Sequence, residues 1–408
     1  MAEAKSMQLI GKLIHTGEPA VVTIENGVIT RIDPGVDRIG SGAADSSESR
    51  NEPDTGARIE GRGDARGAAA PEAAGEAGET LPWIAPGLID LQINGYAGVN
   101  FNEVPIRAEQ VHAVTRRLLA EGVTGYLPTV TTNRIERMTE ELAGIAACRR
   151  ADPLVRAAVP GIHLEGPFIT PEDGARGAHR REHVRAPDWE LFTRFQEAAD
   201  GLIRIITLSP EWEGAEAFIA RCVGSGVIVS IGHTSASPDQ IRRAVQAGAR
   251  MSTHLGNGTH PILPRHPNYV WEQLAADELW PCLIPDGFHL PDSVLKVVLR
   301  VKRDRAMLVS DVTYLGGMPP GDYVSQKGVA VMKTPEGKLV LKDNPALLAG
   351  SAQLLPFGIG HLVRRRLCGP AEGWDMASTR PAAFLDLPAR GGISPGAPAD
   401  NVVFEWNE

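Results

Sequence analysis

Eight apolar runs, each closing on polar residues, divide residues 88 to 311 and restrict what the chain can fold into. They occupy residues 88–94, 125–131, 157–165, 203–210, 227–233, 251–257, 282–289 and 307–311. Each has the length of a strand, and amphipathic helical stretches such as 108–121, 239–247 and 291–300 lie between most of them. Strands alternating with helices imply a parallel sheet with crossovers. Eight such units in succession predict a (β/α)8 barrel of the TIM type, an α/β fold whose functional residues gather where the strands end.

The flanks read differently. Residues 7–33 break into short apolar pieces around Glu25-Asn26-Gly27, a tight-turn signal, and predict a small β meander. Residues 40–80 are rich in Gly, Ala, Ser and charged residues and nearly free of large apolar ones. Such a segment buries too little surface to offset its ordering entropy, so it reads as a disordered insertion. Beyond Asp311 a Gly/Pro-rich loop at 316–321 precedes strand-like text at 329–331 and 338–341, then helical text at 356–366 and 376–385. The last apolar piece, 400–405, is a lone strand in need of a partner, and the N-terminal meander is the natural one. The expected organisation is a small β-sandwich domain from residues 1–84 and 386–408 beside a catalytic barrel over 85–385.

Composition narrows the function. The chain of 408 residues is 43% hydrophobic, enough for a sizeable core. Its net charge of -9 argues against a nucleic-acid binder, which needs clustered Lys and Arg. Four widely spaced Cys suit reduced thiols in the cytoplasm. The N-terminus lacks the apolar core of a signal peptide, and no run approaches the ~18 apolar residues of a membrane helix.

Chemistry concentrates at the predicted strand ends. Eight of the eleven His fall between residues 163 and 289, and His163, His233, His254 and His289 sit at or just past strand ends. A lone His there is usually a hydrogen-bonded core or loop residue. The joint pattern differs, because barrel strand ends converge on one point. Glu165, His233 and His254 offer one carboxylate and two imidazoles, the donors of a catalytic zinc site with an open position. The same set suits Fe(II), Co(II) or Mn(II). His163 lies two positions before Glu165, faces the same side, and suits support of the ligands. Asp311 closes the eighth run. Beside a metal-activated water a carboxylate there acts as general acid and base; without the metal it would read as structural.

These residues belong to an ordered set of motifs: Pro-Gly-Leu-Ile-Asp-Leu-Gln-Ile-Asn-Gly at 86–95, His-Leu-Glu-Gly-Pro at 163–167, Gly-His-Thr at 232–234, Thr-His-Leu at 253–255, Asp-Gly-Phe-His at 286–289 and Ser-Asp at 310–311. From residue 84 onward the chain resembles the N-acetylglucosamine-6-phosphate deacetylase family of the amidohydrolase superfamily. That resemblance implies one divalent metal, zinc before iron, cobalt or manganese, held by Glu165, His233 and His254, with Asp311 catalytic. Gln92 and Asn94 stand where many amidohydrolases place two metal-binding His, which implies a single-metal site. Substrate contacts carry over to Ala178 and His179, to Asn257, Gly258 and Arg265 near the sugar phosphate, to His289, and to Leu348, Ala349 and Gly350 over the substrate. Arg265 matches a family residue that reaches the neighbouring subunit, which implies a homodimer. The implied reaction converts N-acetylglucosamine 6-phosphate to glucosamine 6-phosphate and acetate. The implied partner is that small amino sugar phosphate, with no nucleic acid and no membrane.

The chain also departs from the family. Residues 255–259 read Leu-Gly-Asn-Gly-Thr in place of Leu-aromatic-Asn-Ala-Met, residues 260–267 are rich in His and Pro, and Val312-Thr313-Tyr314 follow Asp311 in place of small residues. These changes touch the sugar-phosphate pocket and leave the metal set intact. Two alternatives follow: the same chemistry on another N-acyl amino sugar or amide, and a barrel that binds a sugar phosphate without catalysis. Arg265 beside a Gly-rich loop suits an anion, because its fork of donors matches phosphate.

Overall fold

The computed structural model describes residues 6–35, 81–325 and 328–406. The insertion expected at 40–80 lies outside the described residues. The strands β1 (Ser6–Leu13), β2 (Pro19–Glu25) and β3 (Val28–Pro34) form the antiparallel meander, with Asn26 and Gly27 at positive φ in its second turn. A strand not read from the sequence, β4 (Trp83–Pro86), adds parallel to β1.

The barrel begins one residue later with β5 (Leu88–Ile93). A short hairpin, β6 (Gly95–Tyr96) and β7 (Val99–Asn100), follows it. The remaining barrel strands are β8 (Val123–Thr131), β9 (Ile162–Glu165), β10 (Ile203–Leu208), β11 (Ile228–Ile231), β12 (Met251–Ser252), β13 (Trp280–Leu283) and β14 (Met307–Leu308). All eight lie parallel and in chain order, as the eight runs predict. The sheet closes where Asp311 N–H donates to Gln92 O at 3.0 Å and Asn94 N–H donates to Val312 O at 2.9 Å.

The crossovers carry α1 (Ala108–Ala120), α2 (Ile135–Ala151), α3 (Pro153–Ala158), α4 (Trp189–Ala198), α5 (Ala215–Gly224), α6 (Pro238–Gln246), α7 (Tyr269–Ala275) and α8 (Asp292–Lys302). The run 157–165 is strand only from Ile162. Asp152 caps α3 by accepting from Leu154 N–H and Val155 N–H, and Pro153 occupies its first turn, so Ala157 and Ala158 complete a helix.

Outward strand residues such as Leu164, Ile206 and Ile231 pack on the apolar stripes of the helices. The bottom of the barrel interior is filled by Ile89, Leu91, Leu127, Ile205, Met251, Cys282 and Met307. Polar side chains are therefore reserved for the upper layers, where the strands end.

After the barrel comes an antiparallel flap, β15 (Gly321–Val324), β16 (Ala330–Lys333) and β17 (Leu339–Leu341). Its first strand starts where the Gly/Pro-rich loop was expected to end. The chain continues through α9 (Leu355–Arg364), α10 (Pro370–Asp375) and α11 (Thr379–Phe384) to β18 (Asn401–Phe404). β18 pairs with β4 rather than with the meander, giving the order β18-β4-β1-β2-β3. The expected sandwich is, among the described residues, one five-stranded sheet. Val22, Ile24, Ile29 and Ile84 in this small sheet pack with Ala397 and Ile393 of the connecting loop instead of a second sheet. Trp374 stacks on Phe404 at 4.5 Å and donates Nε1–H to Pro86 O at 2.7 Å, joining this sheet to the barrel.

Candidate active site

The ends of β9, β11 and β12 bring together Glu165, His233 and His254. Glu165 Oε1 lies 3.0 Å from His233 Nε2 and 3.2 Å from His254 Nε2. His179, from the loop after β9, places Nε2 3.9 Å from the same oxygen and 3.3 Å from His233 Nε2. All four side chains are buried. Burial alone would push the Glu165 carboxyl up, but hydrogen bonds from His233 and His254, with His179 close by, hold it well below its usual range. Burial would likewise lower His254, yet the Glu165 carboxylate outweighs it and raises that imidazole. His233 donates Nδ1–H to Ala175 O at 3.0 Å, which fixes Nε2 as the nitrogen turned toward Glu165, where a metal would take the place of the proton.

The backbone aims these groups. His233, His254 and Asp311 have φ of 46°, 26° and 48°, in the left-handed region that non-glycine residues rarely enter. Each costs about 1–3 kcal/mol and is held by its surroundings. Two loop glycines make room for the His233 ring. A Cβ on Gly258 would stand 2.6 Å from His233 Nδ1, and one on Gly177 would stand 3.0 Å from its Cε1.

His163 lies beneath this group. It donates Nδ1–H to Leu91 O at 3.0 Å and accepts from the Thr207 hydroxyl at 2.7 Å, and burial lowers its pKa to about 4. Thr207 Oγ1 is 2.6 Å from Thr253 Oγ1, which is 2.6 Å from Ser230 Oγ. One hydrogen-bonded chain thus links β9, β10 and β11 to the residue just before His254.

Asp311 stands at the seam where the barrel closes. Its Oδ1 accepts from Gln92 Nε2 at 3.0 Å and from Asn94 Nδ2 at 2.7 Å. Gln92 and Asn94 therefore bond Asp311. Burial, then the Glu165 charge, push the Asp311 carboxyl up to about 6 against His254, His289 and Asn94. Below it the buried Asp90 accepts from Ser310 N–H at 3.1 Å and Gln92 N–H at 3.2 Å, and burial raises its pKa to about 7.

A cavity of about 640 Å³ opens over Glu165, His233, His254 and Asp311. Ala178, His179, Asn257, Gly258, His289, Leu348, Ala349 and Gly350 line it, as does Asn94. His289 donates Nδ1–H to Asp286 at 2.7 Å, which keeps its other nitrogen for the cavity. Asn257 Nδ2 is buried with no hydrogen-bond partner among the described residues.

The chain as a whole is similar to proteins of known activity. The chain is 33% identical over 333 residues to the N-acetylglucosamine-6-phosphate deacetylase of Bos taurus, covering 79% of each protein. It belongs to the N-acetylglucosamine-6-phosphate deacetylase family. The Bacillus subtilis member is 31% identical over 322 residues, 78% of this chain and 79% of that one. An N-acetylgalactosamine-6-phosphate deacetylase of Shewanella sp. (strain ANA-3) is 33% identical over 318 residues, 77% of each. Among solved structures, a mutant N-acetyl-D-glucosamine-6-phosphate deacetylase of Mycobacterium smegmatis, in complex with N-acetyl-D-glucosamine-6-phosphate, matches with a TM-score of 0.77 at 25% identity, over 98% of this chain and 95% of that one. No protein-family model matches the chain. As a member of this deacetylase family the chain is an enzyme, which removes the ground for the non-catalytic alternative.

Within this deacetylase, Arg265 is the expected substrate residue that does not reach the cavity. It is exposed on the loop between β12 and α7 and is absent from the cavity lining. His260 on that loop is committed to Tyr269, at 2.8 Å, and to Glu172, at 3.2 Å, while His266 is exposed. Among the described lining residues none is Lys or Arg. Sequence reasoning missed Asn100, Asn102 and Thr131 on the lining, where Asn102 Oδ1 accepts from Thr131 N–H at 2.7 Å. It also missed the apolar wall of Val329, Val331, Leu339, Leu341 and Leu347 from the flap. The alternation of Val329 with Val331 and of Leu339 with Leu341 was the available signal of one apolar face.

No helix among the described residues is long and apolar enough to cross a membrane.

Proposed function

We propose that the chain hydrolyses the acetamide of N-acetylglucosamine 6-phosphate, giving glucosamine 6-phosphate and acetate, with one divalent metal held by Glu165, His233 and His254. The carrying observation is that one ionised carboxylate and two imidazoles meet at 3.0 and 3.2 Å in the cavity that Asp311 also lines. The donors fit a metal: Glu165 is kept ionised, and Ala175 O fixes His233 with Nε2 toward the cluster, so that a cation would replace the protons the imidazoles share with Glu165. Zinc is the first choice for two nitrogens and an oxygen, with iron, cobalt and manganese sharing the chemistry.

When bound, the metal supplies Lewis acidity, acidifying water toward a pKa of about 7 and polarising the amide carbonyl. The chain's own residues do the rest. Asp311 takes a proton from the attacking water and returns it to the nitrogen as the C–N bond breaks. His179 and His289 offer hydrogen bonds to the substrate, including the oxygen on which charge develops. Asn257, Gly258, Ala178 and residues 348–350 hold the sugar. Arg265 takes the phosphate from the second subunit of a homodimer in the cytoplasm.

A second reading keeps the chemistry and changes the substrate to an N-acyl amino sugar without phosphate. It is favoured by the lining, which among the described residues has an apolar flap wall and no Lys or Arg. The test is amine release by zinc-loaded protein from N-acetylglucosamine and N-acetylgalactosamine, each with and without a 6-phosphate. Preference for the phosphorylated glucosamine derivative supports the first reading. Equal or better turnover of the free sugars replaces it with the second, and no amine from any of them removes both.

A further inference from the structure

We infer that Gln92 and Asn94 are positioning residues that saturate Oδ1 of Asp311, so that Oδ2 alone collects the proton from water and delivers it to the amine. The inference rests on the general acid and base role proposed for Asp311 and adds which oxygen carries the proton and what decides it.

A carboxylate oxygen accepts about two hydrogen bonds along its lone pairs. Oδ1 already has both, from Gln92 Nε2 and Asn94 Nδ2. The donors show signs of being held for that purpose. Gln92 Oε1 and Asn94 Oδ1 are buried without hydrogen-bond partners among the described residues, so each amide leaves its acceptor unused while its N–H faces Asp311. An ionised carboxylate only accepts, which dictates this orientation of both amides.

The backbone removes the remaining freedom. Asp311 N–H donates to Gln92 O at 3.0 Å, Asp90 grips Ser310 N–H at 3.1 Å, and Asp311 sits at a φ of 48°. Swapping the two oxygens would break two charge-assisted bonds.

The proton balance then runs through one atom. An O–H bond of water breaks, its proton goes to Oδ2, and the water oxygen forms a C–O bond to the acetamide carbon. The Oδ2–H bond later breaks, its proton goes to the amine nitrogen, and the electron pair of the C–N bond stays on that nitrogen. Oδ1 accepts from the same two amides in both states of Asp311, so the donors need no reorganisation between the two transfers. Positions that resemble lost metal ligands thus acquire a separate task.

The groups that face Asp311 are Glu165 of β9, His254 after β12 and His289 after β13, with Asp90 on β5 below. All are unchanged in the variants that test the inference. Zinc-loaded wild type is compared with Gln92→Leu, Gln92→Asn and Asn94→Ala by zinc stoichiometry, kcat, KM and pH profile. Loss of a donor lowers kcat about 10- to 100-fold, the range for a hydrogen bond to a charged group, with zinc stoichiometry unchanged. The acid limb of the profile moves up by roughly one pH unit, because the ionised form has lost a donor. Gln92→Asn keeps an amide N–H without adding a metal ligand and recovers part of the rate; Asn94→Ala repeats the test should Gln92→Leu not fold. Zinc lost with the side chain, or an unmoved kcat and acid limb, overturns the inference. Should wild type release no amine from any substrate, the functional reading fails by itself. The inference is then decided by the ¹³C resonance of the Asp311 carboxyl, assigned with Asp311→Asn. Its titration midpoint rises in Gln92→Leu when a donor is lost, and an unmoved midpoint overturns the inference.

Discussion

The two halves of the barrel mouth are built by opposite means. On the β9–β11–β12 side, three side chains crowd one another, with two imidazole nitrogens within 3.2 Å of a single carboxylate oxygen. On the β5–β14 seam a carboxylate is surrounded by neutral amides that hydrogen-bond one of its oxygens. The first half gathers the side chains of the proposed metal site. The second spends hydrogen-bond donors on one anion and leaves its other oxygen free. The same low-dielectric pocket therefore holds Glu165 well below the usual carboxylate range and raises Asp311 to about 6. Environment, not residue type, sets the two carboxyls apart.

The largest expected effect separates the halves outright. Asp311→Asn lowers kcat by about 10³-fold, within the range for loss of a general acid-base group, and elemental analysis finds its metal retained. Metal loss in that variant would place Asp311 with the ligands and erase the division.

Gly258→Ala attacks the other half. A Cβ 2.6 Å from His233 Nδ1, on a backbone at φ +59°, displaces the ring. Metal affinity falls about 10- to 100-fold, as when the support of a ligand is lost, and competition with a chelator measures it. An unchanged affinity would show that the ring tolerates crowding.

The pH profile sharpens the contrast. Asp311 serves as base only when ionised, so kcat/KM falls tenfold per unit as pH drops below its pKa, which is about 6 without a metal. A bound cation favours the ionised form and draws that limb lower. Asp311→Asn, assayed on its residual rate, lacks the limb; its persistence would assign the limb elsewhere.

The smallest effect lies below both halves. Thr207→Val removes the hydroxyl that His163 accepts from and that Thr253 meets at 2.6 Å. Stability to denaturant drops by about 1–3 kcal/mol, the cost of buried polar groups left unpaired. A loss near zero would mean that the polar layer rearranges.

The meeting of Glu165, His233 and His254 was legible, because these residue types are rare and sit where apolar runs stop. Glu165, His233 and His254 needed only the rule that parallel strand ends converge. The seam was not legible in that way. Gln92 and Asn94 are amides with no intrinsic preference for a site, and their partner is 219 and 217 residues away. Their place in the motif suggested lost ligands, while the closure of β5 on β14 gave them Asp311 instead. The same limit hid β4, four residues that become a strand by joining β1 and β18. Asp152-Pro153 carried a helix signal that outweighed the apolar run after it. Arg265 shows the converse, since its residue type suits an anion yet the loop leaves it outside the cavity.

By itself the sequence determined the number and order of the barrel strands and the chemical types at their ends, because burial on both faces and helix amphipathicity are written in local patterns. Only the tertiary structure decided which amide meets which carboxylate oxygen, how His233, His254 and Asp311 turn through positive φ, and which flap face walls the cavity. Those outcomes depend on barrel closure and on the space between loops, and no local window of residues contains either.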